Sequence, residues 1–298
     1  EAAMGSKTIF ASNTSTIPIS DLANSFSRRK DFIGIHFFSP VDRMMLVEII
    51  KGKETGPDAI AAAFDFVRAI GKTPILVNDA RGFYANRCVL NYLLEGHLML
   101  DEGIPPALIE NAARMAGMPV GPLALSDEIA LDLIFKIMKA TEAALGENAI
   151  HPVQARLIST LVEKMGRYGR KNGQGFYVYP KDGPKHLWSG LAALVNQHQN
   201  PDSIHIEELK DRLLFTQALE AARSMEEGIL KDAREADIGA ILGFGFAPFT
   251  GGPLSMIDGM GVSAFNQKCE DLRARYGERF TLPTNLKMMA KTSERFYQ

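Results

Sequence analysis

One histidine and one glutamate stand inside two otherwise apolar runs at residues 32–50, FIGIHFFSPVDRMMLVEII. Either residue is costly in a strand-like apolar run unless it is hydrogen-bonded or does chemistry. Pairing the two runs as antiparallel strands about a turn centred on Asp42 brings His36 opposite Glu48. Residues so opposed have Cβ atoms about 4.5–5.5 Å apart, within reach of an imidazole–carboxylate hydrogen bond. A histidine held in one tautomer by a carboxylate, which also stabilises the imidazolium, is equipped as a general base. A buried polar pair with no catalytic role has the same appearance, and position alone does not separate the two.

The elements that must carry the pair follow from the surrounding periodicity. A brief apolar run at 8–11 ends in the polar cluster 12–16, and 74–77 is a further strand. Pro57 stands where a first helical residue is tolerated; Ile60, Phe64 and Val67 then recur at helical spacing until Gly71 stops the helix. From Gly82 the texture changes to long amphipathic helices, predicted at 86–100, 106–116, 131–144 and 153–165.

The helical part repeats. NRCVLNYLLEGHLMLDEGI (86–104) matches DRLLFTQALEAARSMEEGI (211–229) at a constant offset, which lays Arg87 on Arg212, Glu95 on Glu220 and Glu102 on Glu227. Downstream, MPVGPLALSDEIALD (118–132) resembles APFTGGPLSMIDGMGVSA (247–264), with Asp127 answering Asp258. The sequence thus predicts a mainly α chain: the tail of a strand-rich domain (1–80), a helical domain (81–180), a polar linker (181–205) and a second helical copy (206–298). The second copy lacks any histidine–glutamate strand pair and is expected to be structural. Its Leu213, Leu214, Ala218 and Ala221, with Ile238, Ile241 and Leu242, are expected to face the first copy rather than solvent.

Composition narrows the class. With 46% hydrophobic residues the chain can build packed cores, and 33 basic against 35 acidic residues leave no global field to draw nucleic acid. The local run GRKNG (169–173) can still hold a phosphate. Cys88 and Cys269 match no metal or redox spacing and are expected as buried hydrophobes in a reducing compartment. His97, His151, His186, His198 and His205 show no ligand spacing, so no metal site is expected and solvent or a helix surface is their predicted place. No run nears the roughly 18 apolar residues of a membrane span and no signal peptide is visible, which points to the cytoplasm. The chain begins at Glu1 rather than methionine, and an incomplete chain is the expectation.

Five segments taken in order resemble the L-3-hydroxyacyl-CoA dehydrogenase family: NTSTIPIS (13–20), GIHFFSPVDRMMLVEII (34–50), NDARGFYANR (78–87), MPVGPLALSD (118–127) and GRKNGQGFYVYP (169–180). With its extra helical copy, the chain is similar to the family's long form, the C-terminal part of the multifunctional fatty-acid oxidation complex α-subunit. The resemblance implies the remnant of a Rossmann-type α/β domain followed by two all-helical domains. It also implies oxidation of (3S)-3-hydroxyacyl-CoA to 3-oxoacyl-CoA with NAD, in β-oxidation, with a thiolase subunit as partner. By the same resemblance His36 is the catalytic histidine and Glu48 its orienting carboxylate. Ser15 and Asn86 contact substrate, and Asn13 and Ser15 lie on the cofactor side. From the residues alone Ser15 can equally end a strand or form a turn, and Asn86 can be a helix cap. Asp211, its counterpart in the repeat, can cap as well, but there the GF–aromatic lead-in is gone.

The family's glycine-rich turn, which holds a pyrophosphate at a helix N-terminus, has no match: GxGxxG occurs nowhere in the sequence. The adenosine-binding half of the nucleotide domain is therefore expected to be absent, and these residues are expected to bind NAD weakly by themselves. A substrate-binding and assembly module without catalysis stays open as the alternative reading.

Overall fold

The computed structural model describes residues 1, 3–195 and 199–297; His198 lies outside them. Four strands form one sheet in the order β1 (Phe10–Ser12), β2 (Phe32–Phe37), β3 (Leu46–Lys51) and β4 (Thr73–Asn78). β1 runs parallel to β2, β2 antiparallel to β3, and β3 parallel to β4. The β2–β3 register sets His36 directly against Glu48, as the turn about Asp42 requires. Side chains alternate across the sheet. Ile33, Ile35, Val47 and Ile49 pack on one face with Ala59, Ala63 and Val67 of the helix Pro57–Ala69. His36 and Glu48 thereby fall on the opposite face.

The helices, in chain order, are α1 (Ile19–Ala23), α2 (Pro57–Ala69), α3 (Ala85–Asp101), α4 (Pro106–Met115), α5 (Pro122–Ile129), α6 (Leu131–Leu145) and α7 (Pro152–Ser159). After a small hairpin of β5 (Tyr177–Val178) and β6 (His186–Leu187) come α8 (Ile206–Glu226), α9 (Ala233–Phe244), α10 (Pro253–Met260), α11 (Val262–Tyr276) and α12 (Thr284–Thr292). The expected helix over 153–165 is α-helical only to Ser159 and π-wound from Thr160 to Lys164. Two compact units result, one of residues 1–89 and 217–298, the other of 90–216.

In the first unit α9 lies on the sheet through its small residues. A Cβ on Gly239 would stand 2.7 Å from Ile75 Cδ1 and 3.2 Å from Tyr84 Cε1, so only glycine allows this approach. This corrects the expectation for Ile238. It is 42% exposed because the small face, Ala236, Gly239, Ala240 and Gly243, is the buried one. Leu213, Leu214, Ala218 and Ala221 are buried and do not face solvent. The same unit ties β4 to the later helices. Leu76 N–H donates to Glu235 Oε1 (3.1 Å), Asn78 Nδ2 to Gly228 O (2.7 Å) and Asn78 N–H to Ile229 O (2.8 Å).

Each unit contains a corresponding pair of carboxylates that accept backbone N–H groups; Glu110, Asp127 and Asp237 are buried and Asp258 is partly buried. In 90–216, Glu110 accepts from the Leu123 and Ala124 N–H groups at the start of α5 and from Tyr177 Oη, while Asp127 accepts from the Phe176 and Tyr177 N–H groups. In the other unit, Asp237 accepts from Leu254 and Ser255 N–H at the start of α10 and from Tyr297 Oη. Asp258 accepts from Phe296 and Tyr297 N–H. An acid facing a helix N-terminus satisfies orphan N–H groups and complements the helix dipole. Asp127 and Asp258 were visible in the sequence repeat. The Glu110–Asp237 correspondence was not, because residue type and spacing both change.

His97 is the second correction. It is fully buried, with Nε2 3.0 Å from Ser126 Oγ, Nδ1 3.4 Å from Gln154 Nε2 and its ring stacked on Phe176. Burial pushes its pKa down to about 3, so it stays neutral. Cys88 and Cys269 are both buried, as expected, and are not joined in a disulfide.

Candidate active site

His36 sits near the end of β2 and is 5% exposed; Glu48, opposite it on β3, is fully buried. His36 Nδ1 donates to Glu48 Oε2 at 2.8 Å. The other carboxylate oxygen, Oε1, accepts from Tyr84 N–H (3.1 Å) and Ala85 N–H (2.8 Å), at the first turn of α3. Those two donors can converge because Phe83 has a left-handed backbone (φ 51°), a conformation a bulky residue adopts only when its surroundings enforce it. Phe38 and Phe83 rings flank the imidazole at 4.6 and 5.7 Å. A carboxylate pinned by two backbone donors cannot rotate away, so it holds the histidine with Nδ1 protonated and Nε2 available to take a proton.

The other sequence-nominated residues surround the ends of β1 and β2. Asn13 Oδ1 accepts from Phe37 N–H (3.0 Å), fastening the loop after β1 to the end of β2. Ser15 is exposed in that loop. Asn86, inside the first turn of α3, donates from Nδ2 to the Ser15 carbonyl (2.8 Å). Its side chain thus donates across to the loop instead of capping its own helix. Asn13, Ser15, His36, Glu48 and Asn86 all belong to the unit of residues 1–89 and 217–298.

Sequence reasoning missed the groups that support this set. The Tyr84 and Ala85 donors are backbone and carry no residue-type signal. Tyr84 Oη donates to Ala236 O (2.9 Å), and burial, with Cys88 and Asp237 near, keeps its hydroxyl protonated. Asp79, within the quoted NDARGFYANR, accepts from Ile19 N–H (2.9 Å) and Ser20 N–H (2.7 Å). The fit to a dinucleotide is therefore partial. The ends of adjacent parallel strands β1 and β2, beside His36, suit the ring that exchanges hydride. Among the described residues no pyrophosphate cradle accompanies them: α1 follows β1, but its first N–H groups are already taken by Asp79. Among the described residues no group of three or more His, Cys, Asp or Glu can hold a metal ion, and no helix is long and apolar enough to cross a membrane.

The chain thus joins a four-stranded sheet that carries a histidine–carboxylate pair to a long series of helices. Residues 1–80 match the family model described as 3-hydroxyacyl-CoA dehydrogenase, NAD binding domain, and residues 82–179 the one described as 3-hydroxyacyl-CoA dehydrogenase, C-terminal domain. The chain belongs to the 3-hydroxyacyl-CoA dehydrogenase family over these residues. The fatty acid oxidation complex subunit alpha of Shewanella amazonensis is 39% identical over 305 residues, covering 100% of this chain and 42% of the relative. The chain thus spans under half the length of the curated relatives it matches. Among solved structures, the (S)-3-hydroxybutyryl-CoA dehydrogenase of Ralstonia eutropha is 38% identical (TM-score 0.54), covering 59% of this chain and 62% of its own. The 3-hydroxybutyryl-CoA dehydrogenase of Escherichia coli K12 has a TM-score of 0.76, covering 95% of this chain and 75% of that one. At 23% identity that likeness is one of fold.

Proposed function

We propose that this chain carries the proton-transfer part of an NAD-dependent 3-hydroxyacyl-CoA dehydrogenase that oxidises (3S)-3-hydroxyacyl-CoA to 3-oxoacyl-CoA in fatty-acid β-oxidation. The observation that carries the reading is the His36–Glu48 pair, with Glu48 pinned by the Tyr84 and Ala85 N–H groups. His36 Nε2 takes the proton as the substrate O–H bond breaks, and Glu48 stabilises the imidazolium that forms. NAD, when bound, supplies the acceptor for the hydride leaving the same carbon as its C=O bond forms. Asn86 and Ser15 hold the reacting oxygen and the acyl portion in line. Asn13, whose Oδ1 is already engaged by Phe37 N–H, has its Nδ2 hydrogens to offer on the cofactor side.

The pyrophosphate cradle belongs to residues outside these 298 in this reading. The sheet edge supports it: among the described residues β1 has one strand neighbour, and Phe10 on it is 42% exposed, whereas parallel strands are ordinarily covered on both faces. We read 1–80 as the nucleotide-domain remainder, 81–180 as the first helical copy, 181–205 as the connection and 206–298 as a second, non-catalytic copy. The repeated carboxylate pairs, Glu110 with Asp127 and Asp237 with Asp258, support the duplication. A thiolase subunit as partner, and the cytoplasm as the place of work, follow from the same family reading.

The test is His36→Gln in the full-length protein, assayed for NAD-dependent oxidation of a 3-hydroxyacyl-CoA. Turnover should fall about 10²–10⁴-fold while KM changes little. Near-normal turnover would remove His36 from the mechanism.

A further inference from the structure

Arg87 lies directly after Asn86 and two residues after Ala85, in the first turn of α3. A cation there opposes the helix dipole, so its contribution must come from its partners. Its Nε stands 2.5 Å from Glu220 Oε1, and its two terminal nitrogens reach the Glu227 carboxylate at 2.5 and 3.0 Å. Burial works against this cation, but the hydrogen bond to Glu227 and the charge of Glu220 outweigh it and hold the guanidinium above its ordinary basicity. Glu220 is itself held by Arg223 Nη1 at 3.0 Å. Tyr84, the residue whose N–H grips Glu48, is held at its other end by the Ala236 carbonyl.

From these contacts we infer that Glu220 and Glu227 of α8 are positioning residues for the proton-transfer pair, acting through Arg87. Fixing Arg87 fixes the first turn of α3. That turn presents the Tyr84 and Ala85 N–H groups to Glu48, and Glu48 sets the tautomer of His36. The second helical copy is then a part of the active-site scaffold that its own lack of chemistry conceals. The inference rests on the reading of His36 and Glu48 as the proton-transfer pair.

The repeat supplies an internal control. Arg212, the counterpart of Arg87, pairs with Glu95 at 2.6 Å and Glu102 at 2.8 Å, the counterparts of Glu220 and Glu227. This second clamp lies within residues 90–216, which contain neither His36 nor Glu48. A purely structural role predicts equivalent consequences for breaking either clamp; a positioning role does not.

The experiment is ¹⁵N NMR of the His36 imidazole in the 298-residue chain, which needs neither cofactor nor turnover. Wild type should show mainly the Nδ1–H tautomer. Glu220→Gln should lower that fraction severalfold toward the mixture of a free imidazole, and Glu227→Gln, at a half-exposed partner, should shift it less in the same direction. Glu95→Gln should lower the unfolding midpoint yet leave the tautomer as in wild type. In the full-length enzyme Glu220→Gln should reduce kcat about tenfold with KM within about twofold. A wild-type tautomer in both Glu220→Gln and Glu227→Gln, or an equal shift in Glu95→Gln, overturns the inference. Should Glu220→Gln fail to fold, Glu227→Gln decides by the same readout. A wild-type enzyme inactive on 3-hydroxyacyl-CoA would sink the functional reading, while the tautomer measurement would still judge the clamp.

Discussion

Carboxylates in this chain are tuned by what surrounds them, and Asp127 shows it most clearly. Burial raises its pKa to about 6, against the pull of the Tyr177 and Phe176 N–H groups and the Tyr179 hydroxyl. An unfolded aspartate titrates near ~3.9, so between about pH 4 and 6 the folded state binds more protons than the unfolded one. The sign follows: the contribution of this group to stability is full below about pH 4 and is lost as pH rises through about 6. Urea midpoints of wild type and Asp127→Asn, compared from pH 4 to 7, should show the steeper decline in wild type. Parallel slopes would show that Asp127 does not titrate in this window. Glu48 has a different task. Three N–H groups converge on its two oxygens, and each fixes its direction toward His36.

At the scale of elements, the contact of α9 with the sheet depends on the absence of side chains. Gly239 leaves room for Ile75 and Tyr84, and Gly243 leaves room for Leu46, whose Cδ2 would be 2.5 Å from an added Cβ. Gly239→Val should therefore overpack the interface and destabilise the unit by about 1–3 kcal/mol. Denaturant unfolding checks this, and an unchanged midpoint would mean that α9 can lift off without cost. Polar contacts reinforce the apolar ones here. Leu76 N–H on β4 finds Glu235 as its acceptor, so α9 also satisfies part of a strand edge that would otherwise be open.

For the molecule as a whole, residues 217–298 complete the unit that holds the candidate site. Leu46, Ile75, Tyr84 and Ala85 are each at most 1% exposed. Gly243 and Gly239 of α9 lie against Leu46, Ile75, Tyr84 and Ala85. Deleting 206–298 should uncover this face, and apolar surface so exposed favours association. The truncated protein should aggregate or self-associate in size-exclusion chromatography with light scattering. A stable, soluble monomer would mean that the later helices are dispensable for this unit.

Much of the site was legible because its signal is local. Strand alternation and one turn place His36 against Glu48 by counting, and the repeat is read by aligning the chain with itself. The helices with strong periodicity fall where expected to within a residue or so at most ends. The sequence could not show what closes around these elements. Ile238 belongs to an apolar run and yet faces outward, because α9 is buried by its glycines and alanines instead. His97 has no partner spacing, yet is buried among Ser126, Gln154 and Phe176 from distant segments. The two N–H groups on Glu48 and the Ala236 carbonyl on Tyr84 are backbone atoms, identical in every residue and hence silent in a sequence. Residue type and spacing determined which histidine and glutamate face each other across the sheet. Only tertiary packing decided how that pair is held, because holding it depends on which backbone groups and small residues long-range contacts bring near it.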